Sequence, residues 1–291
     1  MICCSALFLV SSCTKEKVGG CPNVTVRLEY LGDGTTDVLR KYIANVTYYI
    51  YDNNGNYVTE GYWPIDDGVG ESLQRRLRLE QAGTYTVVCW GNLEHYSRAM
   101  NTGRMDEACV CPLRMGGEEG YTSCDPLYFG EAELVVDDVE GDAEVQVRFH
   151  GAHITLWMYA KGVEDIGPGG VNLPPQFCVA GCQGKCDFQG SECGEPFDFI
   201  PESVYDEEER VFMARCHVSR FDENTSGVIE VYRTTGHLLL TTVDLKEFIA
   251  DNGIRLTGKE EIDIPILLEF GPLGVTVTLP EWDVEESKPV M

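Results

Sequence analysis

Val24-Thr25-Val26-Arg27-Leu28-Glu29-Tyr30 alternates apolar and polar residues without a break. Successive side chains of an extended strand point to opposite faces, so this run offers one face to a core and the other to water. The same alternation returns at 73–79, 85–90, 134–136, 145–149, 154–159, 228–232 and 275–279, with Gly, Asn and Asp between the runs. Short alternating strands punctuated by turn residues predict an all-β chain built of antiparallel sandwiches. Only 244–253 reads as a helix, with Asp244 placed to cap it, Glu247 to complete a capping box and Gly253 to stop it.

At 291 residues and 43% hydrophobic content the chain has the length of about two domains. The acidic stretch Asp137-Asp138-Val139-Glu140-Gly141-Asp142 separates two strand patterns and is taken as the border. That gives an N-terminal sandwich over 23–140 and a C-terminal one over 141–291, the latter with a Cys-rich loop at 178–193. No fixed period relates the two halves.

The N-terminus carries a different signal. Residues 2–10 are apolar but far short of the ~20 needed to span a bilayer, and Val10-Ser11-Ser12-Cys13 then leads into charged Lys15-Glu16-Lys17. This is the pattern of a bacterial lipoprotein signal. Residues 1–12 are expected to be removed, Cys13 to carry a diacylglycerol on sulfur and an acyl group on its amine, and 13–22 to form a tether. Several buried chains, at ~0.8 kcal/mol per CH₂, hold far more firmly than one. Met1-Ile2-Cys3-Cys4 lacks a basic n-region, which allows a start upstream of Met1; the alternative is an apolar first strand with an incidental cysteine. The formal net charge of -26 repels phosphate backbones, so nucleic acid is not an expected partner.

Two motifs carry a family resemblance. The first is Val46-Thr47-Tyr48-Tyr49-Ile50-Tyr51-Asp52-Asn53-Asn54-Gly55-Asn56-Tyr57-Val58, two strands joined by an Asn-Gly turn. The second is Gly83-Thr84-Tyr85-Thr86-Val87-Val88-Cys89-Trp90-Gly91-Asn92, a glycine turn feeding a strand that ends in Trp-Gly-Asn. In this order behind a lipobox they resemble the FimB-like anchor subunits of type V fimbriae of Bacteroidales, the fimbrillin-associated anchor lipoproteins. The double strand at 145–159 and the closing Leu279-Pro280-Glu281-Trp282 fit the second domain of the same family. The resemblance implies two tandem transthyretin-like, Greek-key sandwiches tethered to the outer membrane at the base of a fimbrium. It also implies a fimbrial shaft subunit as partner, held by β-strand complementation. An exposed sheet edge offers the unpaired N–H and C=O groups that such complementation uses.

Chemistry is sparse. No Gly-x-Ser-x-Gly elbow, phosphate loop or His-Glu-x-x-His occurs, so no catalytic residue, cofactor or metal is assigned and the chain reads as a non-enzyme. His150 and His153, three apart in a strand pattern, point to opposite faces; His95, His217 and His237 stand alone. Asp52-Asn53-Asn54-Gly55-Asn56 resembles the start of a calcium loop but lacks its closing Glu and reads as a hairpin turn. Glu207-Glu208-Glu209 is a solvated run. Beyond Cys13 ten cysteines remain, at 21, 89, 109, 111, 124, 178, 182, 186, 193 and 216. An even number in an exported protein predicts disulfides; the spacing Cys178-x₃-Cys182-x₃-Cys186-x₆-Cys193 leaves zinc as the alternative. Cys109 and Cys111 are too close for an easy mutual bridge, with Cys124 a candidate partner. Two further readings compete with the anchor: a surface carbohydrate-binding or adhesin lipoprotein stacking sugar on Tyr62 and Trp63, and a hydrolase with paired carboxylates.

Overall fold

Strands with one apolar face persist only when that face is covered. The computed structural model, which describes residues 21–65, 73–114 and 120–282, covers them by stacking sheets into two consecutive β-sandwiches. The first half of the chain supplies β1 (Val24–Glu29), α1 (Leu39–Tyr42), β2 (Asn45–Asp52), β3 (Tyr57–Pro64), β4 (Gln74–Leu77), β5 (Gly83–Gly91), β6 (Ser97–Met100), β7 (Cys109–Pro112), β8 (Tyr128–Val136), β9 (Ala143–Arg148) and β10 (His150–Gly151). The second supplies β11 (His153–Lys161), β12 (Gln176–Cys182), β13 (Cys186–Asp187), β14 (Phe197–Phe199), β15 (Ser203–Asp206), β16 (Val211–Ser219), β17 (Val228–Arg233), β18 (Leu238–Asp244), α2 (Leu245–Asp251), β19 (Asp263–Gly271) and β20 (Gly274–Thr278).

Sheet β10-β8-β5-β2-β3 packs on β4-β1-β9, and sheet β14-β12-β17-β18 on β15-β16-β11-β19-β20. Val24, Val26 and Leu28 of β1 meet Ile50 of β2 and Val87 of β5 in the first core; Leu156 and Met158 of β11 meet Phe177 and Val231 in the second. The two share a plan. In each, the first strand runs parallel to a late one, β1 with β9 and β11 with β19, and the opposite sheet runs β3-β2-β5-β8 or β14-β12-β17-β18. Each sandwich therefore holds one parallel pair, where the alternation predicts antiparallel pairing throughout. The first and late strands of a unit are separated by enough chain to permit the long crossover that parallel pairing requires.

The border also moves. The acidic stretch 137–142 is the turn between β8 and β9, with Asp138 accepting from the backbone N–H groups of Glu140 and Gly141. Because β9 lies along β1, the chain leaves the first sandwich at 149–152, not at 140. The strands expected together at 145–159 thus belong to different sandwiches. α2 forms as expected, the Asp244 carboxylate accepting the Glu247 N–H at 3.0 Å. The single turn α1 carries no periodic signal and is set by Asp37, whose side chain accepts from the backbone N–H of Leu39.

The central strands β2 and β5 are apolar on both faces, and the reason lies outside the sandwich proper. Val46 and Ile50 of β2, with Val87 and Cys89 of β5, point into the first core, while Tyr49, Tyr51, Val88 and Trp90 point the other way. That outer face is covered by the sheet β13-β7-β6, in which β13 comes from the second half of the chain. Phe188, fully buried, sits with its ring centroid 5.0 Å from Tyr49, 6.1 Å from Tyr51 and 6.0 Å from Trp90. On the inner face Tyr48 lies against Gly61 of β3, where any Cβ would fall 2.4 Å from its hydroxyl. Phe188→Ala should cost about 3–5 kcal/mol in denaturant unfolding, the range for emptying a buried phenylalanine site. A loss below 1 kcal/mol would show that the 183–193 segment contributes little to the first sandwich.

Candidate functional site: the junction of the sandwiches

The two sandwiches are fastened to each other by a small set of side chains centred on the loop between α2 and β19. Glu261, just before β19, lies against the first sandwich, where Tyr30 and Tyr128 both donate their hydroxyls to its carboxylate, Tyr128 at 3.0 and 3.2 Å. Tyr30 follows β1 and Tyr128 opens β8, so the junction touches both sheets of that sandwich. The rings of Tyr30 and Tyr128 pack edge to face at 5.0 Å. Glu260 accepts from the Gly151 N–H at 2.8 Å, sits 2.9 Å from His150 Nδ1, and donates its own N–H to Asp33 at 2.7 Å. Gly151 is required there: a Cβ would fall 2.2 Å from the Glu260 carbonyl oxygen.

Arg220, after β16, closes the set. Its guanidinium donates to the carbonyls of Gly151, Leu256, Lys259 and Glu260, fixing the loop by the backbone. A cleft of about 300 Å³ opens beside it, lined in part by Phe129, His150, Glu192 and Lys259. With Arg220 engaged on carbonyls and His150 on Glu260, the cleft's chemistry is cohesive. Burial pushes the Glu261 carboxyl above its ordinary 4.5, partly offset by the two tyrosine hydrogen bonds, and burial together with Glu261 pushes both phenols far up. Nothing in the sequence marks Arg220 or Glu261, whose partners lie at least 36 and 133 residues away.

The residues singled out from sequence distribute as follows. Cys13 lies outside the described residues. No bond joins any two of the ten later cysteines in the structure. Five of them, Cys89, Cys124, Cys182, Cys186 and Cys216, are buried members of the cores, packed as small apolar side chains. Burial raises Cys182 and Cys186 to about 12 and Cys178 to about 11. Cys178 and Cys182 belong to β12 and Cys186 to β13, so the segment expected as one loop is strand at 178–182 and 186–187, and its thiols point into different environments. Among the described residues no three His, Cys, Asp or Glu side chains converge on a point where a metal ion could sit.

His150 and His153 do diverge, but because they stand on separate strands on either side of the crossover. His153 is buried against the Leu127 carbonyl, and its ring meets that of His217 at 5.4 Å, so His217 is not isolated. Asp52 closes the hairpin turn through the backbone N–H groups of Asn54 and Asn56, with Gly55 at φ +74°. Tyr62 is 49% exposed but Trp63, on the opposite face of β3, is 8% exposed and packs in the first core. The two cannot form one sugar-stacking platform.

Known proteins agree with this architecture. The family model of the fimbrillin-A associated anchor proteins Mfa1 and Mfa2 matches residues 18–288. The chain belongs to this family. The resemblance read from the two sequence motifs is thereby borne out at the level of a fimbrial anchor family. No curated protein matches the chain. Among solved structures, a candidate polysaccharide-binding protein of Bacteroides thetaiotaomicron superposes with a TM-score of 0.68 at 11% identity, over 88% of this chain and 95% of that one. A candidate adhesin of Bacteroides ovatus gives 0.67 at 13%, over 90% and 94%. The fimbrial anchor protein Mfa2 of Porphyromonas gingivalis gives 0.63 at 14%, over 88% and 95%. At these identities the structures share the fold, while membership of the anchor family rests on the family match.

Glu261→Ala should cost about 2–4 kcal/mol by leaving two buried phenol hydroxyls without an acceptor. The pH dependence has a definite sign. A carboxyl raised by folding favours the native state most below its ordinary 4.5, and that contribution is lost as pH rises through the elevated value. Glu261→Gln, which keeps an acceptor but cannot ionise, should cost less than the Ala change and flatten the stability profile above pH 4.5. An unchanged profile would mean that Glu261 titrates as in water. Alkylation of the native chain should modify exposed Cys21 first and half-buried Cys111, Cys178 and Cys193 next, sparing Cys89, Cys124, Cys186 and Cys216 until denaturant is added. Uniform labelling would contradict the core placement.

Proposed function

We propose that this chain is a lipid-anchored fimbrial anchor subunit, fixed to the outer membrane through Cys13 and holding a fimbrial shaft at the cell surface by β-strand complementation. The observation that carries the reading is the family match across 18–288, which covers both sandwiches. The lipobox Val10-Ser11-Ser12-Cys13 supplies the attachment, and the relative named for fimbrial anchoring supplies the parallel in fold. The junction fits the role, since Glu261 and Arg220 couple the membrane-side sandwich to the distal one. The second reading, a surface carbohydrate-binding or adhesin lipoprotein, draws on the names of two structural relatives, but the Tyr62 and Trp63 platform that motivated it does not assemble. A shaft subunit is the proposed partner.

Cys13→Ala tests attachment and role together. The variant should move from the detergent phase to the soluble fraction, and cells carrying it should shed fibres into the medium while still expressing the shaft subunit. Continued membrane partition would remove the lipid anchor from the reading. Loss of the anchor with normally attached fimbriae of normal length would remove the fimbrial role and return the carbohydrate-binding reading to first place.

A further inference from the structure

A sheet edge is a row of unpaired backbone donors and acceptors, and proteins that must not add strands blunt such edges with charge, proline or brevity. Among the described residues the edges mostly follow this rule. β4 carries Arg75 and Arg76, β9 carries Glu144 and Arg148, β3 carries Glu60 and Pro64, β6 carries Arg98, β15 carries Asp206, and β10, β13 and β14 are two or three residues long. Two edges break it, and both belong to the second sandwich: β18, with Leu238-Leu239-Leu240-Thr241-Thr242-Val243 free of charge before Asp244, and β20, Gly274-Val275-Thr276-Val277-Thr278.

The shared plan of the sandwiches makes β18 the sharper case. Its counterpart in the first sandwich is β8, which is covered: β10 pairs with its start, and the chain turns within 137–142 into β9 at the corner. In the second sandwich the connection from β18 to β19 runs instead through α2 and 252–262, and among the described residues no strand pairs with the outer edge of β18. Leu238 is 57% exposed and Leu239 45%, while Thr241 and Val243 lie opposite core residues Val231 and Ile229 of β17. Beside Leu240 opens a cleft of about 330 Å³, lined also by Val163, Glu164, Arg233 and Phe270. The Nε of Arg233 is buried there with no hydrogen-bond partner.

We propose that the outer edge of β18 is the docking surface for an extended, uncharged strand of another fimbrial subunit, which extends the sheet β14-β12-β17-β18 and lays apolar side chains over Leu238, Leu239 and the adjoining cleft. Identifying the occupant as a fimbrial subunit rests on the anchor reading above. Charge separates the possible occupants. A second copy would bring another body of net charge -26 to the same edge. The chain's own tail, 283–291, holds Asp283, Glu285, Glu286 and Pro289, a poor match to an uncharged ladder. It also departs from Trp282, which packs on Tyr159 of β11, on the face of its sheet turned away from the second core. An incoming neutral strand meets neither obstacle, and its backbone supplies affinity while alternate side chains set register.

Photocrosslinking in the native, fimbriated host tests the site. Benzoylphenylalanine replaces Leu239 on β18 in one full-length variant, Val204 on β15 in a second and Tyr62 on β3 in a third, and adducts are identified by mass spectrometry. The β18 variant should give at least ten times more adduct with a fimbrial subunit than the other two, with the crosslinked peptide an uncharged β segment. Adducts from β15 or β3 without any from β18 would overturn this site and leave the anchor reading standing. No fimbrial adduct from any of the three variants would overturn the β18 site and leave the anchor reading to the Cys13→Ala test, and an adduct to a second copy or to 283–291 would overturn the occupant. In parallel, Leu239→Lys and Thr242→Lys, both on the outward face, should release fimbriae while the melting temperature stays within a few degrees of wild type; retained fimbriae with those variants would also count against β18.

Discussion

The two-sided burial of β2 and β5 is the constraint on which the rest of the structure depends. Strands with Ile50 and Val87 on one face and Tyr49, Tyr51 and Trp90 on the other cannot rest in a simple sandwich, because one apolar face would stay in water. Phe188 meets that need from the other half of the chain. Large aromatic side chains each bury on the order of 150–250 Å² and gain further from edge-to-face contact, so the cluster is a major share of what joins the halves.

This arrangement would suit the tension that the proposed lipid anchor places on the chain. In the proposed anchor the pull would reach β1, which sits in the middle of its sheet with β4 antiparallel on one side and β9 parallel on the other. A pull along β1 from its N-terminus loads those ladder hydrogen bonds in shear, so many must fail together. Beyond β1 the path reaches Tyr30, whose hydroxyl is bonded to Glu261 of the second sandwich. Under the proposed role, load would pass from the first sandwich to the second through this aromatic and carboxylate contact, backed by the Arg220 clasp.

Much of the fold was legible because half-buried strands alternate, and the runs at 24–29, 85–90 and 228–232 all lie in strands. So was α2, whose cap is local chemistry. The hairpin at Asp52 to Asn56 was legible for the same reason. The domain border was not: an acidic stretch marks a solvent-exposed turn, and composition cannot tell a turn within a sandwich from a link between two. The short strands β6, β7 and β13 carry too few residues to show a period, and their existence depends on the far partner they cover. Cysteine parity and compartment predicted disulfides, yet parity counts thiols without placing them, and six of the ten are buried. The junction was hidden because Arg220 acts on carbonyls, which any residue possesses.

The central claim is that this chain sits between membrane and fibre. Immunogold labelling of the folded chain on intact fimbriated cells, read by electron microscopy, tests it most directly. An anchor gives one cluster of label at the cell-proximal end of each fibre and none along the shaft. Label distributed along shafts, at distal tips, or over surface without fibres would contradict it.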